Sequence, residues 1–447
     1  MKKRFAYALV STLVLGGLVS CGETPSEKPS ENPGTSEAPT TSQTPATSET
    51  PATSEADKVT ELSIWISNKD SKAIPALEAK WNELHPEEKI KFNVSKVEED
   101  KVGDLYTKDP DKTPDIAHVP GDVVAKLYQG EHIASFTETD LEAEGFDVGK
   151  GALKMAQDTN GIQYGLPFST NTYFMYYNKA LVSKEQAGSL NNLFPIAGKN
   201  NAKVMALDLA NGWYTQSFFM SAPNGGIFAD NGLSATETLL TTDAGLQAAK
   251  TIQSLLDPDN TKFFELGGAD AMKSSLQSGC LSFISGTWDY DTVAKVWGKE
   301  NVGMTVLPKI LMGGKEVEWR TIGDYKSIVV SANSKVKTLA KKVAVFLDSR
   351  DGQELRYANN EGSTAPTSAS LLADPEFKKI FKFADVMAEV SASNVFQQSL
   401  SPKMGNWFKS TGGFINGLKE DLAAGNKTDE KLLERLTALS AAVLSDK

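Results

Sequence analysis

The segment Asn160–Lys179, NGIQYGLPFSTNTYFMYYNK, holds the most informative pattern in the chain. Its Asn-Gly pair predicts a turn that opens a short strand ending at Pro167, and a second, aromatic strand is predicted from Tyr173 to Tyr177. Four small polar residues, 169–172, lie between the two strands. Two interpretations fit this pattern. Either the chain crosses here from one lobe to another, with these side chains at the mouth of a cleft, or the two strands form a hairpin inside one sheet.

The length and the net charge of the chain limit the number of domains and the classes of protein that are possible. With 447 residues it is long enough for two or three domains, and its net charge of −11 includes no basic stripe that would suit nucleic acid. Of its two cysteines, Cys21 and Cys280, one falls inside a targeting signal, so no disulfide framework is expected. Three scattered histidines give no zinc-ligand spacing. We therefore expect neither a metal nor a cofactor.

The first residues have the composition of a secretory signal. Met1–Arg4 is basic and Phe5–Val19 is apolar, a run shorter than the roughly 20 residues that span a bilayer. The run ends in Leu-Val-Ser-Cys-Gly, which resembles the bacterial lipobox. That resemblance implies a signal peptide over 1–20 and a lipid on Cys21 that anchors the chain to a membrane. Residues 21–58 are rich in Thr, Ser, Pro and Glu, and they predict a disordered linker.

An α/β pattern begins directly after the linker. Leu62–Ile66 alternates as a strand, apolar residues at helical spacing follow from Ile74 to Leu84, and Ile90–Val94 alternates again. A strand-helix-strand unit of this kind predicts that its two strands pair in parallel. A further strand is expected at Pro114–Val119. Because open α/β sheets bind ligands at the carboxyl ends of their strands, the loops after two of these strands supply candidate binding residues: Asn68, Lys69, Asp70 and Asp122.

The remainder of the chain repeats the pattern and ends in helices. Strands are predicted at 204–207, 280–286, 302–307 and 325–331, and Thr242 is the predicted N-cap of a helix. Helices are predicted at 377–390, 406–422 and 432–443. Gly362–Pro366 has the composition of another crossing. Asp257–Asn260 resembles the start of a calcium loop, but the later ligands do not follow, so it predicts a turn.

Several short motifs occur in an order that resembles one protein family. They are Leu62–Ile66, Pro114–Ile116, Pro167–Lys179, Ser285–Trp288 and Met304–Pro308. Together they are similar to bacterial extracellular solute-binding proteins for sugars, of the maltose-binding type. The resemblance implies an α/β, two-lobe periplasmic-binding-protein-like fold of type II, with three chain crossings at the hinge. It also implies lobe 1 at 59–168 plus 320–366, and lobe 2 at 169–319 plus 367–447.

The resemblance further implies which side chains bind the ligand. Sugars offer apolar C–H faces and a rim of hydroxyls, so aromatic plates and planar polar groups suit them. The expected plates are Trp213, Tyr214, Trp288 and Trp407, whereas the other tryptophans are expected to be structural. The expected polar partners are Asn68, Lys69, Asp70, Asp122 and Asn171, with Asp324 and Tyr325 near the second crossing. Asn171 stands where the maltose-binding type has a carboxylate, so the sequence favours a saccharide without specifying maltose.

These features predict a lipid-anchored, extracellular binding protein of an ABC importer. Its expected partners are an oligosaccharide, of maltodextrin type, and the permease subunits, and it is expected to be a monomer. Common enzyme motifs for nucleophilic, phosphate or zinc chemistry do not occur, so no catalysis is expected. Three alternatives stay open from the sequence: a binder of another solute such as a polyamine, metal complex or peptide, a surface glycosidase, and an adhesin.

Overall fold

The structure is a computed structural model that describes residues 59–142, 145–158, 160–393, 396–397 and 401–446. The predicted signal peptide, Cys21 and the predicted linker lie outside the described residues. Among the residues described, no helix combines the length and the apolar character needed to cross a membrane.

The strands include the two predicted from alternating patterns, at 62–66 and 90–94. They are β1 Thr60–Ile66, β2 Ile90–Lys96, β3 Ile116–Pro120, β4 Leu166–Asn171, β5 Phe174–Asn178, β6 Lys203–Ala206, β7 Phe264–Glu265, β8 Cys280–Ser285, β9 Val302–Thr305, β10 Ile310–Met312, β11 Lys315–Val317, β12 Ile322–Val330, β13 Ala365–Pro366 and β14 Phe396–Gln397.

The helices cover the faces of the sheets. They are α1 Ile74–Leu84, α2 Glu99–Lys108, α3 Gly121–Gln129, α4 Glu138–Glu142, α5 Lys150–Leu153, α6 Lys184–Ala187, α7 Leu190–Asn200, α8 Gly212–Ser221, α9 Ala229–Gly232, α10 Asp243–Leu256, α11 Pro258–Thr261, α12 Ala269–Gly279, α13 Tyr290–Trp297, α14 Lys337–Asp348, α15 Arg350–Asn359, α16 Ala369–Ala373, α17 Pro375–Ile380, α18 Ala384–Ala392, α19 Met404–Ala423 and α20 Asp429–Leu444. Thr242 caps α10 as predicted, because its hydroxyl accepts from the Gly245 amide.

The strands form two main sheets. The first has the order β13-β4-β12-β3-β1-β2, with β14 beside β12, and the second has the order β7-β6-β8-β5-β9. In the first sheet β1 lies parallel to both β2 and β3, as the strand-helix-strand pattern predicted. Strand β12 is antiparallel to β3 and β4. A separate hairpin joins β10 and β11.

The stretch Asn160–Lys179 is a crossing between the sheets, not a hairpin within one. β4 belongs to the first sheet and β5 to the second. The return crossing precedes β12 and runs beside the first one: the Thr172 hydroxyl donates to the carbonyl of Ile322 at 2.8 Å and lies 3.2 Å from the hydroxyl of Thr321. These contacts tie two chain crossings together between the sheets.

Two predicted elements differ from the structure. The strand predicted to end at Pro167 continues to Asn171 as β4, because β12 and β13 pair with its polar end on both sides. It thus extends past the predicted lobe boundary at residue 168. The single helix predicted at 377–390 is two helices, α17 and α18. The Tyr357 hydroxyl ends α17 by donating to the carbonyl of Ile380 and accepting from the amide of Lys382.

Each sheet has its own apolar core. Leu62, Ile64 and Ile66 of β1 point into the core of the first sheet together with Trp81 of α1. A larger core lies on the second sheet and includes residues of α8, α10, α19 and α20. Because each core is buried under its own helices, the edge where the crossings meet is left for polar side chains.

Candidate ligand-binding site

A cavity of about 300 Å³ lies where the two sheets meet, close to the crossings. Its volume is at the lower end of the roughly 300–1,000 Å³ typical of small-molecule sites. Both sheets contribute to its wall, and most of the lining side chains are polar. They are Ser67, Lys69, Asp70, Glu98, Glu99, Ser169, Thr170, Asn171, Thr287, Trp288, Lys326, Ser363 and Thr364.

The structure brings some of the predicted residues together in this cavity and leaves others outside. Lys69, Asp70, Asn171 and Trp288 line it. Asn68 is exposed beside them, and its backbone amide donates to Glu98 at 3.4 Å. The other predicted residues do not line the cavity; they are Asp122, Trp213, Tyr214, Asp324, Tyr325 and Trp407.

Trp288 is positioned by the tight turn that follows β8. Its indole lies over Gly286, where a Cβ atom would come within 2.1 Å of the ring, so only glycine leaves room for this side chain. The turn is held by the Tyr176 hydroxyl, which donates to the carbonyl of Gly286 at 2.7 Å, and by the Ser285 hydroxyl, which donates to Asp289 at 2.6 Å. The tryptophan predicted as a sugar plate is therefore fixed at the cavity wall by its own strand end.

Asp70 provides an ionised carboxylate to the opposite wall. It is 5% exposed, and one of its oxygens accepts from the Asn360 amide at 2.8 Å and from the Thr364 hydroxyl at 3.3 Å. Burial alone would raise the pKa of Asp70. The positive charges of Lys326 and Arg356, together with the Asn360 hydrogen bond, outweigh burial and hold the pKa below 3.8. A fixed carboxylate of this kind accepts hydrogen bonds from ligand hydroxyls.

Glu99 and Lys326 form an ion pair at the floor of the cavity, with Nζ and Oε2 2.6 Å apart. Burial raises the pKa of Glu99 despite the nearby Lys326 ammonium. Burial lowers the pKa of Lys326, but Glu99 and Asp70 more than compensate, so it stays above 10.5. The ammonium therefore remains charged beside Glu99, and its charge also acts on Asp70.

A buried histidine lies close to Asp70 and Glu99, and the three side chains form a cluster of possible metal ligands. Possible ligand atoms of Asp70, Glu99 and His118 lie within 4.8 Å of one another. Burial lowers the pKa of His118 to about 3, so the ring is neutral, and neither ring nitrogen has a hydrogen-bond partner among the described residues. The positive charges of Lys326 and Arg356 already balance both carboxylates. This donor set is therefore a compensated ionic cluster and does not suit a cation.

Asn171 and Asp324 form a second polar group, at the crossings. They face each other across β4 and β12, and the Asn171 amide donates to Asp324 at 3.2 Å. The Gly121 amide donates to the same carboxylate oxygen at 3.3 Å, and a Cβ on Gly121 would come within 2.1 Å of the other oxygen. Burial and the neighbouring Asp122 raise the pKa of Asp324 to about 7. Burial also raises the pKa of Asp122 to about 6.

Three of the remaining predicted aromatic residues, Trp213, Tyr214 and Trp407, pack in the core of the second sheet. Trp407 is fully buried; its indole donates to the carbonyl of Gly212 at 3.0 Å and meets Phe219 edge-on. Tyr214 is also buried, and Trp213 is half-buried against Tyr173. Tyr325 is half-buried in β12 opposite Thr170. This geometry favours a packing role for Trp407.

Sequence reasoning named no site role for Glu98, Glu99, Lys326, Ser363 and Thr364, which also line the cavity. The signals that point to Ser363 and Thr364 lay in the predicted crossing at Gly362–Pro366. Glu98 and Glu99 follow β2, so the carboxyl-end rule that selected the loops after β1 and β3 applies to them equally. Lys326 carries no local signal, because it lies inside a strand.

A second cavity, of about 380 Å³, lies away from the crossings, between α1, α14 and the start of α15. Its one basic side chain, Arg350, is already paired with Asp374 at 2.6 Å. None of its lining residues belongs to a strand of either sheet. The cavity at the crossings is therefore the stronger candidate.

Comparison with known proteins identifies the family. The sequence profile of the bacterial extracellular solute-binding proteins matches residues 76–384. The chain belongs to this family. As a solute-binding protein it is a binder and not an enzyme, which confirms the corresponding prediction. The family resemblance drawn from the short motifs is likewise confirmed.

Individual relatives agree with this assignment. A galactooligosaccharide-binding protein of Bacillus subtilis is 28% identical over 72% of this chain and 76% of the relative. A maltooligosaccharide ABC transporter solute-binding lipoprotein of Streptococcus pneumoniae is 25% identical over 82% of each chain. The solved structure of the maltodextrin-binding protein MalE1 from L. casei, without ligand, has a TM-score of 0.73 at 17% identity and covers 87% of this chain and all of that one. The predicted two-lobe α/β fold is thus confirmed.

Proposed function

We propose that this solute-binding protein captures an oligosaccharide of maltodextrin type and delivers it to the permease of an ABC importer. The relatives from B. subtilis and S. pneumoniae support the ligand class, since the names of both specify an oligosaccharide. The S. pneumoniae relative is named as part of an ABC transporter, which supports the role in import.

The observation that most supports the proposal is the position of Trp288 at the cavity wall. The indole of Trp288, which follows β8 of the second sheet, lines the same cavity as hydroxyl, amide and carboxylate groups from the first sheet. This arrangement matches the two surfaces of a sugar ring, because apolar C–H groups pack on an aromatic face while hydroxyls hydrogen-bond at the ring edge. We propose Lys69, Asp70, Asn171 and Trp288 as contact residues, together with Glu98, Glu99 and Thr364.

Capture requires that the two lobes close on the ligand. We propose lobe 1 at 59–168 plus 320–366 and lobe 2 at 169–319 plus 367–447, with β4 extending the first to Asn171. A ligand that touches walls from both sheets favours the closed state by its differential affinity for it. The tied crossings at Thr172 and Thr321 supply the axis of that motion.

We also propose that the protein acts as a monomer held at the outer face of the cytoplasmic membrane by a lipid on Cys21. The lipobox-like sequence before Cys21 supports this anchor, and the S. pneumoniae relative is named a lipoprotein. Anchoring would keep a captured solute close to its permease.

A thermal-shift screen tests the function. Residues 59–447 are heated with mono- and oligosaccharides, and with polyamines and peptides as other solute classes. A ligand that binds only the folded state stabilises it by about 2.7 kcal/mol at a hundredfold excess over Kd. We expect a shift with maltooligosaccharides that is largely lost in Trp288→Ala, since a central aromatic contact is worth about 2 kcal/mol or more.

Trp213→Ala is the matched control, because Trp213 lies in the same core outside the cavity wall. It should retain the ligand-induced shift. A shift with a polyamine or peptide and none with saccharides would overturn the proposed ligand class. Conversion of the glycan over hours would instead indicate a glycosidase.

A further inference from the structure

Charged groups from both sheets meet at one rim of the cavity. Lys69 follows β1 of the first sheet, and its ammonium donates to the carbonyl of Trp288 at 3.3 Å. The same ammonium lies 3.7 Å from Asp291 Oδ2. Trp288 and Asp291 both follow β8 of the second sheet. These contacts therefore bridge the two walls of the cavity without any ligand.

The bridge continues toward the third crossing. Asp291 Oδ1 lies 4.0 Å from the Lys382 ammonium, which donates to the carbonyl of Glu361 at 2.8 Å and lies over the Tyr290 ring. The Glu361 carboxylate in turn pairs with Lys72 at 2.6 Å. Asp291 is thus the acidic group between two lysines, one from each side of the cavity.

Lys69 is suited to respond to the position of the lobes. Its side chain is 30% exposed and that of Asp291 is 47% exposed, so the pair is wet and exchanges readily with water and salt. Separation of the walls would break both of its contacts together, since the carbonyl and the carboxylate belong to the same segment. The pair then stabilises only the state in which the walls are close.

We propose that Lys69 and Asp291 form a latch that favours closure of the lobes before the ligand arrives. Asp291 does not line the cavity, and it acts as a positioning residue that holds Lys69 and the Trp288 segment in their places. The effect on the lobes does not depend on which solute is bound. The effect on affinity rests on the proposed function.

The latch predicts a specific pattern for charge reversal. Lys69→Asp would place two carboxylates opposite each other, whereas Lys69→Asp with Asp291→Lys would restore an opposite pair with its ends exchanged. A residue needed only for folding would not be rescued by the second change. Recovery in the double variant is therefore diagnostic of the pair.

Fluorescence energy transfer measures the distance between the lobes without ligand. The full chain carries Cys21→Ser, with dyes on cysteines introduced at Asp111 and Asp259, which are exposed on the first-sheet and second-sheet sides. Cys280 does not compete for the dyes, because it is buried and burial raises its pKa to about 12. We expect Lys69→Asp to shift the population toward long distances and the double reversal to return it.

The ion pair of Lys80 with Glu83 provides a matched control, because it has a similar distance of 3.3 Å but lies within α1. Reversal of that pair should leave the distances unchanged. High salt should move the wild-type distances toward those of Lys69→Asp, because an exposed pair is screened. An unchanged distance in Lys69→Asp, or a double variant as open as the single one, would overturn the latch.

Binding measurements separate the latch from the proposed ligand. With maltooligosaccharide, Asp291→Asn should raise Kd about two- to fivefold, as expected for a wet ion pair. If no saccharide binds but the distances respond as above, the latch stands and the ligand class fails. If saccharide binds and the distances do not respond, the latch fails and the function stands.

Discussion

At the level of single residues, the group that most needs explanation is Asp324, a carboxylate buried at the crossings with one oxygen unpartnered among the described residues. Burial and Asp122 raise its pKa to about 7, far above the value near 3.9 of an unfolded chain. The native state therefore holds a proton that the unfolded state has released between about pH 4 and pH 7. The contribution of Asp324 to the free energy of unfolding must therefore fall as the pH rises through that window.

Asp324→Asn removes this penalty and keeps an acceptor for the Asn171 or Gly121 hydrogen bond. The difference in unfolding free energy between the variant and the wild type should grow in the variant's favour from pH 4 to pH 7, by up to about 1.4 kcal/mol per pH unit. Chemical denaturation at a series of pH values measures it. Asp111→Asn, at an exposed site, should follow the wild-type curve, and parallel curves for Asp324→Asn would contradict the assignment.

Residue type alone could not show which of Trp288 and Trp407 lines the cavity. Both were predicted as sugar plates, and both follow polar residues in the sequence. Trp288 lines the cavity because a glycine turn holds it there, whereas Trp407 is enclosed by Phe219 and the carbonyl of Gly212. The partners of Trp407 come from distant parts of the chain, so only the assembled core reveals its environment.

At the level of secondary structure, local patterns predicted most elements because their causes are local. Alternation marked β1 and β2, and a side-chain cap marked the start of α10. The exceptions depend on remote partners: β4 is extended by pairing with β12 and β13, and α17 ends where the Tyr357 hydroxyl reaches its last carbonyl. Lys326 was missed for the same reason, since its partner Glu99 comes from another element.

Helix α20 gives a test of how the second core is stabilised. Leu436 is fully buried and Leu433, on the same helix, is 40% exposed. Leu436→Ala leaves a cavity and should lower the unfolding free energy by about 2–5 kcal/mol. Leu433→Ala is the matched control, with an expected change within about 0.5 kcal/mol. Urea denaturation compares them, and equal losses would show that α20 does not pack as described.

At the level of the whole molecule, the candidate binding cavity belongs to neither sheet alone. Its walls come from strand ends that are distant in the sequence and are joined by chain crossings near Thr172 and Thr321. The family resemblance predicted this architecture, because order and spacing of motifs are properties of the whole chain. The side chains that line the cavity could be predicted only where the sequence pattern showed the end of a strand.

The proposed membrane anchor is also a property of the whole molecule, and we attribute it to Cys21. Cleavage before Cys21 and acylation would leave two or three acyl chains, each contributing about 0.8 kcal/mol per buried methylene, enough to hold the protein on the membrane.

Cys21→Ser should move the protein from the membrane fraction into the medium, as measured by immunoblotting of both. Cys280→Ser, at the chain's only other cysteine, should stay with the membrane, because its buried thiol donates to the carbonyl of Ser282 and is closed to modification. Retention of Cys21→Ser on the membrane would mean that another segment, or a bound partner, provides the anchor.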